Sequence, residues 1–226
     1  MQKTILITGS NRGIGLALTE AFMKQGYRVL GTARQPEKAV QLGKLLPEKD
    51  ILRLDVSQED SIGEFGVFLE QRNIQLTGLI NNAGVYGGRE GFSEIESAIL
   101  METFLVNAVG PLMVLKSCLP VLTPGAKVMN VSSNMGSITN AGGRHYAYRM
   151  SKSALNMATR ILSIDFPADR FIFVSVHPGW VQTDMGGEHA NITPQQSAEA
   201  LLTVYLNLDS GDSGKFFSYT GKTLEW

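Results

Sequence analysis

Short apolar runs alternate along the chain with longer segments whose apolar residues recur at helical spacing. The first run, Thr4–Thr8, predicts a buried strand, and residues 13–25 predict a helix that stops at Gly26. The other short runs predict strands over 27–33, 51–54, around Leu79–Ile80, and over 128–131 and 171–174. Long helices are predicted over 97–120 and 146–165, and Pro111 is expected to bend the first of them.

Strands that alternate with helices indicate βαβ units and a mostly parallel sheet with helices on both faces. The chain has 226 residues and no segment that reads as an interdomain linker, so a single doubly wound α/β domain, residues 1–226, of about seven strands is expected. The polar segment 185–195 carries Gly186 and Gly187 and is predicted to form a mobile lid.

Composition excludes several classes of function. Twenty basic and 21 acidic residues give a net charge of −1, which argues against a nucleic-acid partner. The single cysteine, Cys118, excludes an intramolecular disulfide, and three scattered histidines make a metal site unexpected. No apolar run approaches the roughly 18 residues of a membrane span, so no membrane partner and a cytoplasmic location are expected.

A glycine-rich turn follows the first predicted strand and leads into the first predicted helix. Its spacing is G-x-x-x-G-x-G, which differs from the G-x-G-x-x-G dinucleotide fingerprint. Glycines let the backbone approach a pyrophosphate, and the helix N-terminus supplies unpaired N–H groups. A dinucleotide is therefore predicted at this turn, although a glycine-rich turn without a ligand remains an alternative. The residues concerned are Gly9, Ser10, Asn11, Arg12, Gly13, Ile14 and Gly15.

The end of the second strand indicates which dinucleotide is bound. A carboxylate there would hold a free ribose 2′-hydroxyl, but the strand ends in Ala33-Arg34 with no acid. Arg12 and Arg34 could together bind a 2′-phosphate, which favours NADP(H) over NAD(H). Two solvated surface arginines are the alternative reading.

Tyr148 and Lys152 are four residues apart in a predicted helix and therefore share one face. A lone Tyr-x-x-x-Lys is a weak signal, but other polar and small residues follow strands in a consistent order. Ligands bind at the carboxyl ends of strands in open α/β sheets, where most of these residues fall. They are Asn82, Ala83 and Gly84, then Asn107 in a helix, Ser133, and finally Pro178, Gly179 and Thr183.

With these motifs in this order, almost the whole chain resembles the short-chain dehydrogenase/reductase superfamily. It is most similar to the small carbonyl-reductase-like branch, which includes the sniffer-like and C-factor-like members, through Tyr146–Asn156 and the final residues 214–226. The resemblance implies a Rossmann-type domain that transfers a hydride between NADP(H) and a small carbonyl or alcohol substrate.

The resemblance also implies roles for individual residues. Tyr148 would be the general acid, Ser133 would hydrogen-bond the substrate oxygen, and Lys152 would bind the nicotinamide ribose and lower the pKa of Tyr148. Asn107 would position a water in a proton relay. Asp55 and Val56 would meet the adenine, Asn82, Ala83 and Gly84 would lie beside the cofactor, and Pro178, Gly179 and Thr183 would contact its nicotinamide end.

Two other functions and one assembly state complete the expectations. A cofactor-binding signalling or regulatory protein of C-factor type, with incidental turnover, is the leading alternative. A nucleotide-sugar epimerase is a weaker one, because the chain is short for a separate sugar-binding lobe.

Relatives often pair through the two long helices, so a homodimer or homotetramer is expected. A surface loop is favoured for His145, with the wall of the substrate pocket as the alternative. His177 is expected in a structural role, and Asp184 shows no paired acid–base partner in the sequence.

Overall fold

The computed structural model describes residues 2–226 and has a single parallel sheet of seven strands, in the spatial order β3-β2-β1-β4-β5-β6-β7. This is the order of a Rossmann-type sheet with one further strand. The strands are β1 Thr4–Ile7, β2 Arg28–Ala33, β3 Ile51–Arg53, β4 Leu76–Asn81, β5 Leu122–Val131, β6 Phe171–His177 and β7 Lys215–Ser218.

Seven α-helical segments cover the two faces of the sheet. They are α1 Gly13–Lys24, α2 Val40–Gly43, α3 Glu59–Gln71, α4 Ser97–Phe104, α5 Gly110–Cys118, α6 Tyr146–Asp165 and α7 Pro194–Asn207. Alternate residues of each strand point to opposite faces, so the sheet separates two apolar clusters. In β1, Ile5 and Ile7 join the cluster of α1 and α7, while Leu6 joins that of α3 and α5.

The chain reverses its strand order between β1 and β4. Leu6 pairs with Leu30 of β2 on one side and with Leu79 of β4 on the other. The crevice beyond the carboxyl ends of β1 and β4 is therefore the topological switch point, where open α/β sheets bind their ligands. The glycine-rich turn leaves β1 at this crevice.

The fold class predicted from the sequence is confirmed, and the differences concern ends of elements. β4 and β5 begin earlier than predicted and β6 extends to His177. β7 and α7 had no predicted position; α7 begins at Pro194, so residues 194 and 195 belong to a helix and not to the predicted lid. Cys118 is completely buried in α5, as expected of a small apolar side chain.

The long helix containing Pro111 is continuous, but its winding changes. Between α4 and α5 the residues Leu105–Val109 form a π-helical segment, and Pro111 lies in the first turn of α5. The expected disruption is thus a local widening just before the proline, which lacks an N–H for the carbonyl of Asn107.

Within the described part of the chain, Ser97–Val121 has the length and composition of a membrane span, but it packs between α3 and α6.

Candidate active site

The glycine-rich turn is held tightly against the loop that follows β4. The side-chain amide of Asn82 donates to the carbonyls of Thr8 (2.9 Å) and Gly9 (3.1 Å). The Thr8 hydroxyl accepts from the backbone N–H groups of Asn82 and Ala83 at 3.0 Å each. These bonds join the two loops on either side of the switch point, so the crevice has a rigid floor.

Glycine is required at this turn for both conformation and space. Gly9 and Gly13 have φ values of 66° and 55°, in the region that side chains disfavour. A Cβ on Gly15 would lie 2.2 Å from the carbonyl oxygen of Gly9 and 2.5 Å from Nδ2 of Asn82. The turn therefore brings bare backbone to the mouth of the crevice, as predicted.

The N-terminus of α1 is open at this point. Arg12 occupies the N-cap position with extended backbone and makes no side-chain capping bond. The Ser10 hydroxyl donates to the carbonyl of Ile7 (2.7 Å) and so stabilises the turn. It does not cap the N–H groups of the helix. Uncapped N–H groups beside glycines form an anion-binding site suited to a pyrophosphate.

Tyr148 and Ser133 face each other across the crevice. Tyr148 is buried in the first turns of α6, and Ser133, which follows β5, lines the same cavity and accepts from the N–H of Met135 (3.1 Å). Burial raises the pKa of Tyr148 to about 12, and the nearby Ser133 hydroxyl only partly opposes this rise. The neighbouring Ser132 instead donates to the backbone carbonyl of Lys152 (3.4 Å), so Ser133 is the serine beside the tyrosine.

Lys152 lies one helical turn after Tyr148 and is 4% exposed. Its ammonium donates to the carbonyl of Val131 (2.8 Å) and lies 5.8 Å from the centroid of the Tyr148 ring. Burial lowers the pKa of Lys152 to about 8. The predicted lowering of the pKa of Tyr148 by Lys152 stays a prediction for the complex with the cofactor; in the chain alone, burial raises this pKa.

Asn107 is completely buried in the π-helical segment, and its side chain is fully engaged. Its amide donates to the carbonyl of Val85 (2.8 Å) and to Ser151 Oγ (3.0 Å), while its Oδ1 accepts from the N–H of Val85 (2.9 Å). The side chain thus fixes the loop after β4. Any water that Asn107 positions would have to contact its backbone carbonyl, which Pro111 leaves without the usual helical donor.

The remaining predicted cofactor residues border the same crevice. Thr183 lies beside Gly13, where a Cβ would be 3.3 Å from its methyl group. Pro178 and Gly179 follow β6 and line the cavity described below. On the other side of the switch point, Asp55 accepts from the N–H (3.0 Å) and hydroxyl (2.6 Å) of Ser57. Val56 is buried in the α3–α5 cluster, so little of its side chain remains for an adenine contact.

The two predicted phosphate-binding arginines have different surroundings. Arg34 is exposed at the end of β2. The guanidinium of Arg12 forms an ion pair with Asp184, on the loop after β6. Folding brings these two residues, 172 positions apart in the chain, into contact, so Asp184 has a charged partner but no paired acid–base group. In this arrangement Arg34 is the arginine that is free for a 2′-phosphate.

A cavity of about 720 Å³ opens above Tyr148, Ser133 and Lys152. Its walls include Tyr86, whose ring centroid lies 5.0 Å from that of Tyr148. Trp180 also lines it and donates from Nε1 to the carbonyl of Gly186 (2.8 Å). The cavity places a small molecule directly against the tyrosine hydroxyl and the crevice floor.

Several cavity residues were missed or misplaced by sequence reasoning. His145 lines the cavity, which was the less favoured of the two positions expected for it; its Nδ1 lies 2.9 Å from the hydroxyl of Tyr86. His177 also lines the cavity, and burial lowers its pKa to about 4. Tyr86 and Ser151 carried no motif, although the position of Tyr86, two residues beyond Asn82-Ala83-Gly84, could have drawn attention to it.

The predicted lid is tied at its base. Gln182 donates its backbone N–H to the carbonyl of Ile192 (2.9 Å), and Ile192 donates in turn to that of Trp180 (3.2 Å). Between these anchors, Met185 and Gly186 reach the cavity wall. The loop therefore covers the site as expected, while its mobility stays a prediction.

The model of the short-chain dehydrogenase family matches residues 3–192 of this chain. The chain belongs to that family. Among curated proteins, the C-signal of Myxococcus xanthus is 46% identical over 151 residues, which are 66% of this chain and 91% of that protein. A dehydrogenase of Rhodococcus sp. (strain AD45), named for 1-hydroxy-2-glutathionyl-2-methyl-3-butene, is 29% identical and covers 99% of both chains.

Solved structures of this short-chain dehydrogenase family superpose over the whole chain. The carbonyl reductase Sniffer of D. melanogaster is 35% identical, with a TM-score of 0.93 and full coverage of both chains. The NADPH-bound carbonyl reductase from chicken fatty liver is 31% identical, with a TM-score of 0.91, and covers 100% of this chain and 99% of its own. The chain is therefore an oxidoreductase with carbonyl reductases as structural neighbours.

The residues present fit a nicotinamide dinucleotide. A Cβ at Gly15 would fill the space that the glycine-rich turn leaves open, and the N-terminus of α1 is uncapped beside it. At the opposite end of the crevice, Nδ1 of His177 is buried without a hydrogen-bond partner among the described residues. Both ends thus present groups that a polar ligand would satisfy.

Proposed function

We propose that this short-chain dehydrogenase is an NADP(H)-dependent carbonyl reductase in which Tyr148 is the general acid. One observation carries the proposal most directly. Buried Tyr148 lines a cavity at the switch point of the sheet together with Ser133 and the buried ammonium of Lys152. Acid, orienting hydroxyl and cation are the groups that reduction of a carbonyl needs in one place.

The chain's own residues hold and orient the reactants. The glycine turn and the N-terminus of α1 would hold the pyrophosphate, while Lys152 and the Pro178–Gly179 turn would hold the nicotinamide end. The dinucleotide, when bound, supplies the hydride. Ser133 and Tyr148 would hydrogen-bond the substrate oxygen, which fixes the carbonyl and excludes water from it. Tyr148 then donates its proton to the oxygen as negative charge develops there.

Tyr148 carries its proton at neutral pH, because burial raises the pKa of its hydroxyl to about 12. A protonated phenol is the form that a general acid requires for reduction. The cation of Lys152 lies close enough to stabilise negative charge as the proton leaves.

The choice of NADP(H) is supported by the end of β2. The strand ends at Ala33, and the next residue is the exposed Arg34 instead of a carboxylate that would repel a 2′-phosphate. Structural neighbours crystallised with NADPH or NADP agree with this choice. Arg12 would contribute once its guanidinium leaves Asp184.

Replacing Tyr148 with phenylalanine tests the proposal. The exchange removes the proton donor and keeps the ring that packs against Tyr86. We expect NADPH-dependent reduction of a panel of aldehydes, ketones and quinones to fall by about 10² to 10⁴-fold. Binding of NADPH, measured by fluorescence titration, should change little.

The matched control is Tyr27→Phe, because Tyr27 packs against Phe22 and Tyr205 in the core, far from the crevice. It should retain wild-type turnover. Equal, slow consumption of NADPH by wild type and Tyr148→Phe across the panel would contradict the proposal.

That result would instead favour a second candidate, a signalling or regulatory role with incidental turnover. The 46% identity with the C-signal of Myxococcus xanthus over two-thirds of the chain supports this candidate. It would require that NADPH binds with the same affinity in wild type and Tyr148→Phe while no carbonyl substrate is reduced.

A second copy of the chain is the proposed protein partner. Exposed apolar residues follow one face of the Ser97–Val121 helix, and a similar row follows the adjacent α6. Burying such a strip in a symmetric pair would remove it from water. Light scattering should show a dimer or tetramer, and a monomer at high micromolar concentration would contradict this. The exposed residues are Met101, Leu105, Val109 and Leu112, with Met150, Met157, Ile161 and Ile164 on α6.

A further inference from the structure

In the described part of the chain, the lining of the substrate cavity contains positively charged side chains and no carboxylate. Two guanidinium groups, those of Arg89 and Arg144, belong to its lining, and Lys152 lies at its base. Of the described residues that line this cavity, none is an aspartate or a glutamate. A cavity with one sign of charge favours ligands of the opposite sign.

The two arginines at the mouth are not equivalent. Arg144 already forms an ion pair with Glu94 (3.2 Å) and donates to the backbone carbonyl of Arg89 (2.8 Å). The guanidinium of Arg89 has neither a carboxylate nor a hydrogen-bond partner among residues 2–226. Arg89 is therefore the charge that remains available to a ligand.

The loop that carries Arg89 is fixed to the helix that carries Tyr148. His145, at the N-cap of α6, donates its N–H to the carbonyl of Glu90 (3.0 Å). The carboxylate of Glu90 turns toward the same helix and accepts from the N–H of Ala147 (2.6 Å). These bonds fasten the backbone next to Arg89 to the first turn of the helix that carries Tyr148, and one oxygen of the Glu90 carboxylate is engaged by that helix.

Between the Tyr148 hydroxyl and Arg89 at the mouth, the cavity walls are apolar and aromatic. Tyr86 and Trp180 supply rings, and Met135 and Met185 supply flexible apolar surface. A ligand that spans the cavity would therefore have a carbonyl at Tyr148, an apolar or aromatic body, and an anion at the mouth.

We propose that Arg89 is a specificity-determining residue that selects carbonyl substrates bearing a carboxylate distal to the carbonyl group. The proposal rests on the carbonyl reductase function proposed above and names its substrate class. A guanidinium binds a carboxylate in bidentate fashion, with charge-assisted hydrogen bonds that an ester cannot replace.

The test compares acids with their methyl esters. Suitable probes are 4-formylphenyl compounds with a carboxylate on a chain of one to three methylene groups, each paired with its ester. The ratio of kcat/KM for acid to kcat/KM for ester is measured for wild type, Arg89→Gln and a control. Arg72→Gln is the matched control, because this exchange removes the same charge at the C-terminal end of α3.

In wild type we expect the acid to be preferred for at least one chain length. Arg89→Gln should lower the ratio about threefold to tenfold, and added salt should lower it in wild type but not in this variant. The control should keep the wild-type ratio. An acid-to-ester ratio that is equal in wild type and Arg89→Gln at every chain length would overturn the proposal.

Binding measurements separate this inference from the proposed function. Titration calorimetry with the product alcohols, as acid and as ester, measures selectivity without turnover. If no probe is reduced by wild type, the carbonyl reductase function is wrong for this class. If the acid then also binds wild type and Arg89→Gln equally, the selective role of Arg89 is wrong too. Weaker binding of the acid alone to Arg89→Gln supports it.

Discussion

The two sides of the crevice are built in different ways. On the dinucleotide side, the backbone of the two loops is fixed: the side chains of Thr8 and Asn82 bond the main chain of the facing loop, and Gly15 has no room for a Cβ. On the substrate side, position depends on side chains from three loops, as in the contact between Tyr86 and His145. Cofactor binding, which a whole family shares, can depend on the dinucleotide side. The residues of the substrate side can vary without disturbing the fold.

The largest expected effect comes from disturbing the backbone side. In Gly15→Ala the new Cβ would lie 2.2 Å from the carbonyl oxygen of Gly9, so the turn must move. We expect NADPH affinity to fall at least about 100-fold and the free energy of unfolding to fall by roughly 2–3 kcal/mol. Fluorescence titration and urea denaturation measure the two losses.

Gly63→Ala is the control for this exchange. Gly63 lies in α3, where a Cβ would meet nothing within 4 Å. Alanine there should leave NADPH affinity unchanged and stabilise the helix by up to about 1 kcal/mol. The rigidity attributed to the dinucleotide side would be refuted if Gly15→Ala behaved like this control.

The same contrast explains what could be predicted from the sequence. Gly9 and Gly13 adopt positive φ angles, a local property of a tight turn, and the alternation of strands and helices places this turn at a strand end. The pairing of Arg12 with Asp184 and the wall position of His145 depend on loops that meet only after folding. No local periodicity encodes such contacts. β7 was unplaced because only its two central residues are apolar, whereas the equally long β1 has three consecutive apolar residues.

Lys152 connects the two sides, and its burial should destabilise the protein without a cofactor. Its pKa falls from 10.5 to about 8, because burial penalises the ammonium. Between these two pH values the unfolded chain binds more protons than the folded one, so this group makes stability rise as pH increases. Below pH 8 the full penalty applies.

Lys152→Met should therefore stabilise the protein without cofactor at pH 7 while abolishing turnover. We expect a gain of about 1–2 kcal/mol, because the pKa shift is partly offset by loss of the bond to the carbonyl of Val131. The difference in stability between the variant and wild type should shrink as pH rises from 8 to 10.5. Urea denaturation over this range measures it.

Groups present in both proteins cancel in that difference. Burial raises the pKa values of Tyr148 and Cys118 to about 12, so both make stability fall at high pH, in variant and wild type alike. A constant difference between pH 7 and 10.5 would contradict a buried, destabilising ammonium at position 152.

The smallest expected effect lies where the two sides meet. The ion pair of Arg12 with Asp184 joins the glycine turn to the loop after β6, and both side chains are largely exposed. In Asp184→Asn the guanidinium of Arg12 is released and becomes available to the 2′-phosphate. We expect NADPH to bind about twofold to fivefold more tightly, with NADH unaffected, because exposed ion pairs are weak.

Asp165→Asn removes a charge from the exposed end of α6 and controls for net charge. Equal tightening of NADPH and NADH, or equal effects of both variants, would mean that Arg12 does not distinguish the two cofactors and that Arg34 alone provides the selectivity at this edge of the crevice.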